Sequence, residues 1–393
     1  MIRFSNRSDP GQLNAISLEE QKTKNLTQLN DSNPTHFGLG IEKFGTYVPD
    51  PRGSETTREA LANFLKSRKD PISPSNFSPA SSERLYLLSS TSQGYSWLIK
   101  LLCDPGEKVA YPSPGYPLIP SIASMEGVEA VPYFLRFDGS WYIDLPYLEK
   151  VLEDKSVKAL VLIHPNNPTG SYVEKEEFEE VERMCREKEI AIICDEVFYE
   201  YSFSRTPGRI SGFSSVLTFA LDGFSKLLAS PQIKTAWIEV SGPEEEVKEA
   251  LTRLDFIADN FLPNSWFQNQ STPSLLELAP EKVKEVRERC MENLELLKEA
   301  FSKPSLASSL IVPDGGWSAL VRFPATVDED ELVKALIRQF SLSAQPGYFF
   351  DVPFNCVAVS FLPPTYETKS RIEVLIDTIE ALSREWLEVK WNT

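Results

Sequence analysis

Histidine is scarce in this sequence: among 393 residues only His36 and His164 occur. A metal centre built on several imidazoles is thereby excluded, and none is expected. A serine or cysteine nucleophile activated by histidine would have to use one of these two. Acid–base chemistry must rest on lysine, carboxylates or tyrosine. No apolar run approaches the roughly 18 residues that span a bilayer. Nothing apolar follows the charges of Met1-Ile2-Arg3-Phe4-Ser5-Asn6-Arg7, so neither a membrane role nor a secretory leader is expected. The five cysteines (Cys103, Cys185, Cys194, Cys290 and Cys356) lie far apart without a CxxC pair, which fits reduced thiols in the cytoplasm. Positive charge is outnumbered, 40 Lys and Arg against 57 Asp and Glu, for a net charge of −17. Such a balance repels phosphate backbones and anionic lipid, so neither nucleic acid nor a membrane surface is expected as a partner. Internal repeats and low-complexity tracts are absent too.

What is present is an ordinary globular composition, 41% hydrophobic and 25% charged, in a chain longer than a typical single domain. Two packed lobes follow. Short apolar runs alternate with amphipathic stretches through the middle of the chain, the grammar of an α/β lobe whose parallel sheet carries helices on both faces. The runs are Leu85-Tyr86-Leu87-Leu88, Lys108-Val109-Ala110-Tyr111, Lys158-Ala159-Leu160-Val161-Leu162-Ile163, Ile190-Ala191-Ile192-Ile193-Cys194, Val216-Leu217-Thr218-Phe219-Ala220-Leu221 and Thr235-Ala236-Trp237-Ile238-Glu239-Val240. Helices are predicted over 95–103 and 174–188. Val283, Val286, Cys290, Leu294 and Leu297 recur at helical spacing, which predicts a long connecting helix over 280–302. Strand, helix, strand and helix follow, at 317–323, 328–340, 355–361 and from 367. The expected division is an N-terminal arm (1–45) packing on the small lobe, a large lobe (46–285) and a smaller α+β lobe (286–393).

Ligands of open α/β sheets sit beyond the carboxyl ends of the strands, so the residues that follow each run carry the interest. Ser89-Ser90-Thr91-Ser92-Gln93-Gly94 opens a helix with small hydroxyl residues. Free amides there suit a phosphate, although the same residues also serve as a plain N-cap. Pro112-Ser113-Pro114-Gly115-Tyr116-Pro117 is a rigid turn that presents Tyr116 either to a flat ligand or to the core. His164-Pro165-Asn166-Asn167-Pro168-Thr169-Gly170 holds two asparagines, more than a turn requires. Asp195-Glu196 ends an apolar strand, where a carboxylate caps the next segment or meets a cation such as a protonated pyridine nitrogen. Lys226, in Asp222-Gly223-Phe224-Ser225-Lys226-Leu227-Leu228, is an amine among apolar neighbours. Desolvation there favours its nucleophilic neutral form, whereas a surface lysine is the plain alternative. A phosphate cradle, a ring face, a carboxylate and an amine together match pyridoxal 5'-phosphate held as a Schiff base on Lys226.

Order and spacing carry the match further. With Asn167-Pro168-Thr169-Gly170, Asp195-Glu196-Val197 and Ser225-Lys226 in this sequence, the chain resembles the class I/II aminotransferases among the fold-type-I pyridoxal-phosphate enzymes, over roughly 33–363. The resemblance implies a mostly parallel sheet of the seven-stranded type, and it implies roles. Asn167 would bond the cofactor's ring oxygen, Asp195 would pair with the ring nitrogen, and Lys226 would be the catalytic amine. Tyr116 would stack on the ring, Ser92, Gln93 and Lys234 would hold the phosphate, and Thr91 and Ser225 would also bind the cofactor. Tyr47, in Tyr47-Val48-Pro49-Asp50-Pro51-Arg52-Gly53, would reach the phosphate of a neighbouring subunit, which implies a homodimer. Three positions depart from the family pattern. Lys234 stands for an arginine, keeping charge without the bidentate fork. Phe198 replaces a tyrosine, with Tyr199 next to it. Ala358 occupies the place of the arginine that grips the substrate carboxylate, leaving another basic group to do so or an unusual amino donor; Asn33-Pro34-Thr35-His36-Phe37-Gly38 is one place to look.

The expectation is therefore an enzyme that moves an amino group from an amino acid to a 2-oxo acid, with a small-molecule amino acid or amine as substrate. Two alternatives are weighed against it. One is a lyase or decarboxylase on the same scaffold, which Ala358 favours. The other is a cofactor-binding regulatory protein without catalysis, for which no basic helix-turn-helix segment is found.

Overall fold

A computed structural model describes the chain except for residues 13, 24–30, 69–71, 73–78, 205–207, 213–214, 304–306 and 392–393. Its strands are β1 (Leu85–Leu88), β2 (Lys108–Ser113), β3 (Glu129–Phe137), β4 (Trp141–Ile143), β5 (Val157–Ile163), β6 (Ala191–Asp195), β7 (Thr218–Gly223), β8 (Ala236–Ser241), β9 (Ser309–Ile311), β10 (Ser318–Arg322), β11 (Gln345–Pro346) and β12 (Cys356–Ser360). The helices are α1 (Ala15–Lys22), α2 (Glu55–Lys66), α3 (Thr91–Leu102), α4 (Leu118–Met125), α5 (Leu145–Leu152), α6 (Lys175–Lys188), α7 (Phe224–Leu227), α8 (Glu244–Phe261), α9 (Trp266–Glu277), α10 (Ala279–Ala300), α11 (Glu329–Phe340) and α12 (Thr365–Trp391).

The apolar runs become the centre of the molecule. A parallel strand covered on both faces has no polar side to show, and β6 and β7 are buried along their whole length. The large sheet runs β1-β8-β7-β6-β5-β2-β3-β4. Strands β3, β2, β5, β6 and β7 are parallel, whereas β8 is antiparallel to both β7 and β1. This is the expected class of sheet with one strand more, because β3 turns back at Asp138 into the short antiparallel β4. One face packs against α3, α4 and α8, the other against α5 and α6. Helix α6 shows the local logic. Glu174 and Glu177 form a reciprocal capping box, acids occupy the first turn and basic residues the last, and Phe178, Val181, Met184 and Cys185 are buried on one face.

Register then gathers the site. Leu88 and Gly223 both pair with Ala236. The ends of β1 and β7 and the start of β8 therefore share one edge with the carboxyl ends of β2, β5 and β6. Connections reverse direction between β5 and β2, the place where open α/β sheets form a crevice.

The small lobe is an antiparallel sheet, β11-β12-β10-β9. Alternation sorts β12: Val357 joins the core beneath α11 and α12, while Cys356 and Ala358 face the large lobe. Helix α10 belongs to both lobes, since Ala279 packs with α2 and α9 whereas Cys290, Leu294 and Leu297 pack in the small-lobe core. Residue 286 thus falls inside one continuous helix. The start of the chain departs from expectation. Residues 1–8 lie on the large lobe: Ile2 and Phe4 enter its core, Ser5 N–H donates to the Leu101 carbonyl at 2.9 Å, and Arg3 pairs with Asp104 and Glu107. The turn after α3, with Asp104 and Glu107, supplies the partners of Arg3, and Glu246 of α8 accepts from the Ile2 N–H.

Candidate active site

Each turn at this edge has spent some of its polar groups on its own conformation, and what is left over defines the site. Ser90 caps α3 by accepting the Gln93 N–H at 3.2 Å. The Gln93 side-chain oxygen accepts from the backbone N–H and the hydroxyl of Ser89, both at 2.9 Å. The hydroxyls of Thr91 and Ser92 make no bond among the described residues. A Cβ at Gly94 would lie 2.5 Å from Leu221 Cδ2, so glycine here lets the first turn of α3 close on β7.

After β5 the two asparagines divide their duties. Asn166 is buried, donating to the Pro114 carbonyl at 3.3 Å and accepting from the Thr169 hydroxyl at 3.0 Å. Asn167 makes no side-chain bond among the described residues and lines a cavity of about 610 Å³ together with Tyr116, Ala358, Ser360 and Arg371. Gly170 has φ +68°, in the left-handed region that favours glycine. Tyr116 is 41% exposed, and its turn is tied to the small lobe by the Gly115 N–H, which donates to the Phe350 carbonyl at 3.1 Å. His164 is structural: its Nδ1 accepts from the Val173 N–H at 3.1 Å and Nε2 lies 2.9 Å from the Gly208 carbonyl.

Asp195 and Glu196 stand side by side in different company. Glu196 binds Arg209 at 2.8 Å, and Arg209 also binds Glu239 at 2.8 Å, all three buried. Asp195 has no arginine or lysine within bonding distance among the described residues. Its Oδ2 accepts from the Tyr95 hydroxyl at 2.8 Å and its Oδ1 from the Val197 N–H at 3.1 Å. Burial pushes the Asp195 carboxyl up to about 6, against the pull of these bonds and of Lys226.

Lys226 lies on α7 with its Nζ 5.3 Å from the centre of the Phe198 ring and 5.2 Å from that of Trp317. It makes no side-chain hydrogen bond among the described residues. Burial lowers its pKa, and the charge of Asp195 works the other way. The Tyr201 hydroxyl donates to the Lys226 carbonyl at 2.8 Å and fixes the turn. Tyr199 does not stand in for a hydroxyl at Phe198, because its ring is turned toward His164 and Arg68.

Other expected residues are spread around this centre. Ser225 precedes Lys226, and Lys234 is exposed just before β8, with no ion pair among the described residues. Tyr47 is not brought beside Lys226. It lines a separate cavity of about 450 Å³ with Phe44, Trp266 and Asn269, its N–H bonded to the Thr35 hydroxyl and its carbonyl to Asn33. The segment from Asn33 thus serves Tyr47. Sequence reasoning missed Tyr95, Trp317, Arg209 and Arg371, since nothing local marks a partner so distant in the chain.

Residues 24–379 match the family model described as aminotransferase class I and II. A glutamate-pyruvate aminotransferase of Haemophilus influenzae is 26% identical over 258 residues, 62% of this chain and 61% of that protein. The mouse tyrosine aminotransferase is 23% identical over 366 residues, 86% of this chain and 77% of its own length. An alanine aminotransferase from Pyrococcus furiosus has the same fold, with a TM-score of 0.76 at 20% identity over 93% of this chain and 95% of that one.

Proposed function

The chain belongs to the class I and II aminotransferases, and from that membership we propose that it moves an amino group from an amino acid donor to a 2-oxo acid, using pyridoxal phosphate. One observation carries the reading: among the described residues, a desolvated amine without a hydrogen-bond partner, Lys226, stands near a buried carboxylate with no arginine or lysine bonded to it, Asp195. The groups at the sheet edge fit the cofactor feature by feature. Asp195 suits a protonated ring nitrogen, Asn167 the ring oxygen, Tyr116 the ring face, and Lys226 the aldehyde. Thr91, Ser92, Gln93, Ser225 and the cation of Lys234 suit the phosphate. When bound, pyridoxal phosphate supplies a carbonyl that captures amines and a ring that draws electrons from the attached carbon.

The protein's own groups then do the following. Lys226, its neutral form favoured by burial, takes the proton from the substrate Cα. Asp195 keeps a proton on the ring nitrogen, and Phe198 and Trp317 hold water away from the amine. The substrate carboxylate is assigned to the cavity beside Ala358, where Arg371 is the cation among the lining residues. Tyr47 serves the phosphate of a second copy, which accords with its exposed aromatic surroundings and makes the working unit a homodimer. All five cysteines are free and buried, which supports a cytoplasmic location; no helix among the described residues is long and apolar enough to cross a membrane.

The test supplies amino acids without an acceptor to the cofactor-loaded protein. Conversion of the cofactor to its amine form, once per site, is expected. Continuous release of ammonia or carbon dioxide would replace this reading with the lyase or decarboxylase. Borohydride reduction followed by digestion should label the peptide spanning Phe224 to Leu227 in the wild type and not in Lys226→Ala.

A further inference from the structure

We propose that Tyr95 is a positioning residue for Asp195, so that one helix, α3, governs both the phosphate end and the ring-nitrogen end of the cofactor. This rests on the reading above. The Tyr95 side chain is 1% exposed and its hydroxyl lies 2.8 Å from Asp195 Oδ2. It is the one side-chain hydrogen-bond donor to that carboxylate among the described residues. Tyr95 follows Thr91, Ser92, Gln93 and Gly94 within the first turns of α3, and the missing Cβ of Gly94 seats this part of the helix against Leu221 of β7. The same packing therefore sets the height of the helix N-terminus and the distance from phenol to carboxylate.

Two other buried tyrosines show what a purely architectural hydroxyl does. Tyr86 donates to the Leu251 carbonyl and to Asp255, and Tyr133 to the Val161 carbonyl. Of these three, Tyr95 alone spends its hydroxyl on the carboxylate at the edge of the site. A donated hydrogen bond stabilises the ionised carboxylate and makes it a weaker base. The proton shared between Asp195 and a ring nitrogen then stays on the nitrogen. Each carboxylate oxygen still has a lone pair free for that nitrogen. Without the phenol, burial raises the proton affinity of Asp195 and draws the proton toward oxygen. With the cofactor bound, a less positive ring would leave the Lys226 nitrogen more basic.

The experiment compares Tyr95→Phe with Tyr86→Phe, two deletions of one buried hydroxyl each. The absorbance of the Lys226-bound cofactor is titrated against pH, and thermal melts confirm folding. In Tyr95→Phe the titration midpoint should rise by about one pH unit, and the single-turnover rate with an amino donor should fall about tenfold. Tyr86→Phe should leave the midpoint where it is. An unmoved midpoint in Tyr95→Phe, or equal shifts in both variants, overturns the proposal. Should Tyr95→Phe not fold, 3-fluorotyrosine placed at position 95 alone makes the phenol a stronger donor; a midpoint that fails to fall then overturns it. Wild-type protein that traps no cofactor on borohydride reduction overturns the underlying reading instead. Trapped cofactor with an unmoved midpoint overturns this inference alone.

Discussion

Replacing Arg209 by glutamine tests how the interior behind the site tolerates its charges. Arg209 is buried between Glu196 and Glu239, with side chains 4%, 0% and 3% exposed. Its Nε and Nη2 reach one oxygen of Glu196 at 3.1 and 2.8 Å, and the N–H groups of Ile210 and Ser211 bond the other, each at 3.1 Å. Removing the cation leaves two buried carboxylates without their main partner, a loss of about 3–5 kcal/mol near neutral pH. For 393 residues the unfolding entropy is about 0.8 kcal/mol per degree, so the melting temperature should fall by about 4–6 °C. The effect has a pH signature. Burial alone would raise the Glu196 pKa, yet Arg209 and Arg68 hold it below the usual value. A depressed folded pKa contributes stability above the unfolded value, which is lost only as pH falls through the folded one. In Arg209→Gln burial prevails at Glu196, so that carboxylate takes up a proton as pH drops. Urea unfolding at about pH 7.5 and about pH 5.5 should show the gap between wild type and variant shrinking with acid. A gap below about 1 kcal/mol, or one indifferent to pH, would refute the argument. Arg183, half-buried at the surface and paired with Glu180 and Glu187, is the control, and Arg183→Gln should leave the melt unchanged.

Four further outcomes are expected. In cofactor-free protein, Asp195→Asn should raise stability by as much as about 3 kcal/mol at neutral pH. Burial lifts the folded pKa to about 6 from the ordinary 3.8, so the ionised form costs stability as the pH rises above the lower of these values. The gain should fade as the pH falls toward the lower value in urea melts, while cofactor binding is lost. Asn166→Ala should cost about 1–3 kcal/mol by unpairing the Pro114 and Thr169 groups. Asn167→Ala should leave the cofactor-free melt alone and weaken cofactor binding in an equilibrium titration. Gly170→Ala should lose more than about 2 kcal/mol in the same melt, because a Cβ would stand 2.3 Å from Pro313 Cβ and 2.6 Å from the Gly315 carbonyl oxygen.

The parallel strands were legible because burial on both faces forces continuous apolar runs, and the runs at 85–88, 108–111 and 158–163 fall within β1, β2 and β5. The chemistry was legible for a related reason, since parallel strands deliver their following residues to one edge. β3 was not read, because its mixed burial and its Pro132 break the pattern. Helix α8 opens on Glu244, Glu245 and Glu246 and closes on the exposed Phe261, so its buried face of Val247, Ala250 and Leu254 did not stand out. Asn166 and Asn167 are alike as letters, and only the fold of the turn separates the structural from the available amide. Tyr95 and Asp195 lie a hundred positions apart, beyond any local signal.

The double membership of α10 has a mechanical consequence. A helix of 22 residues is a rod about 33 Å long, clamped at one end by the core that holds Lys226 and at the other by the core beneath Ala358. Tilting it by one degree displaces its far end by about 0.6 Å. A change of tilt at the large-lobe clamp would thus be magnified along the rod at the small-lobe core.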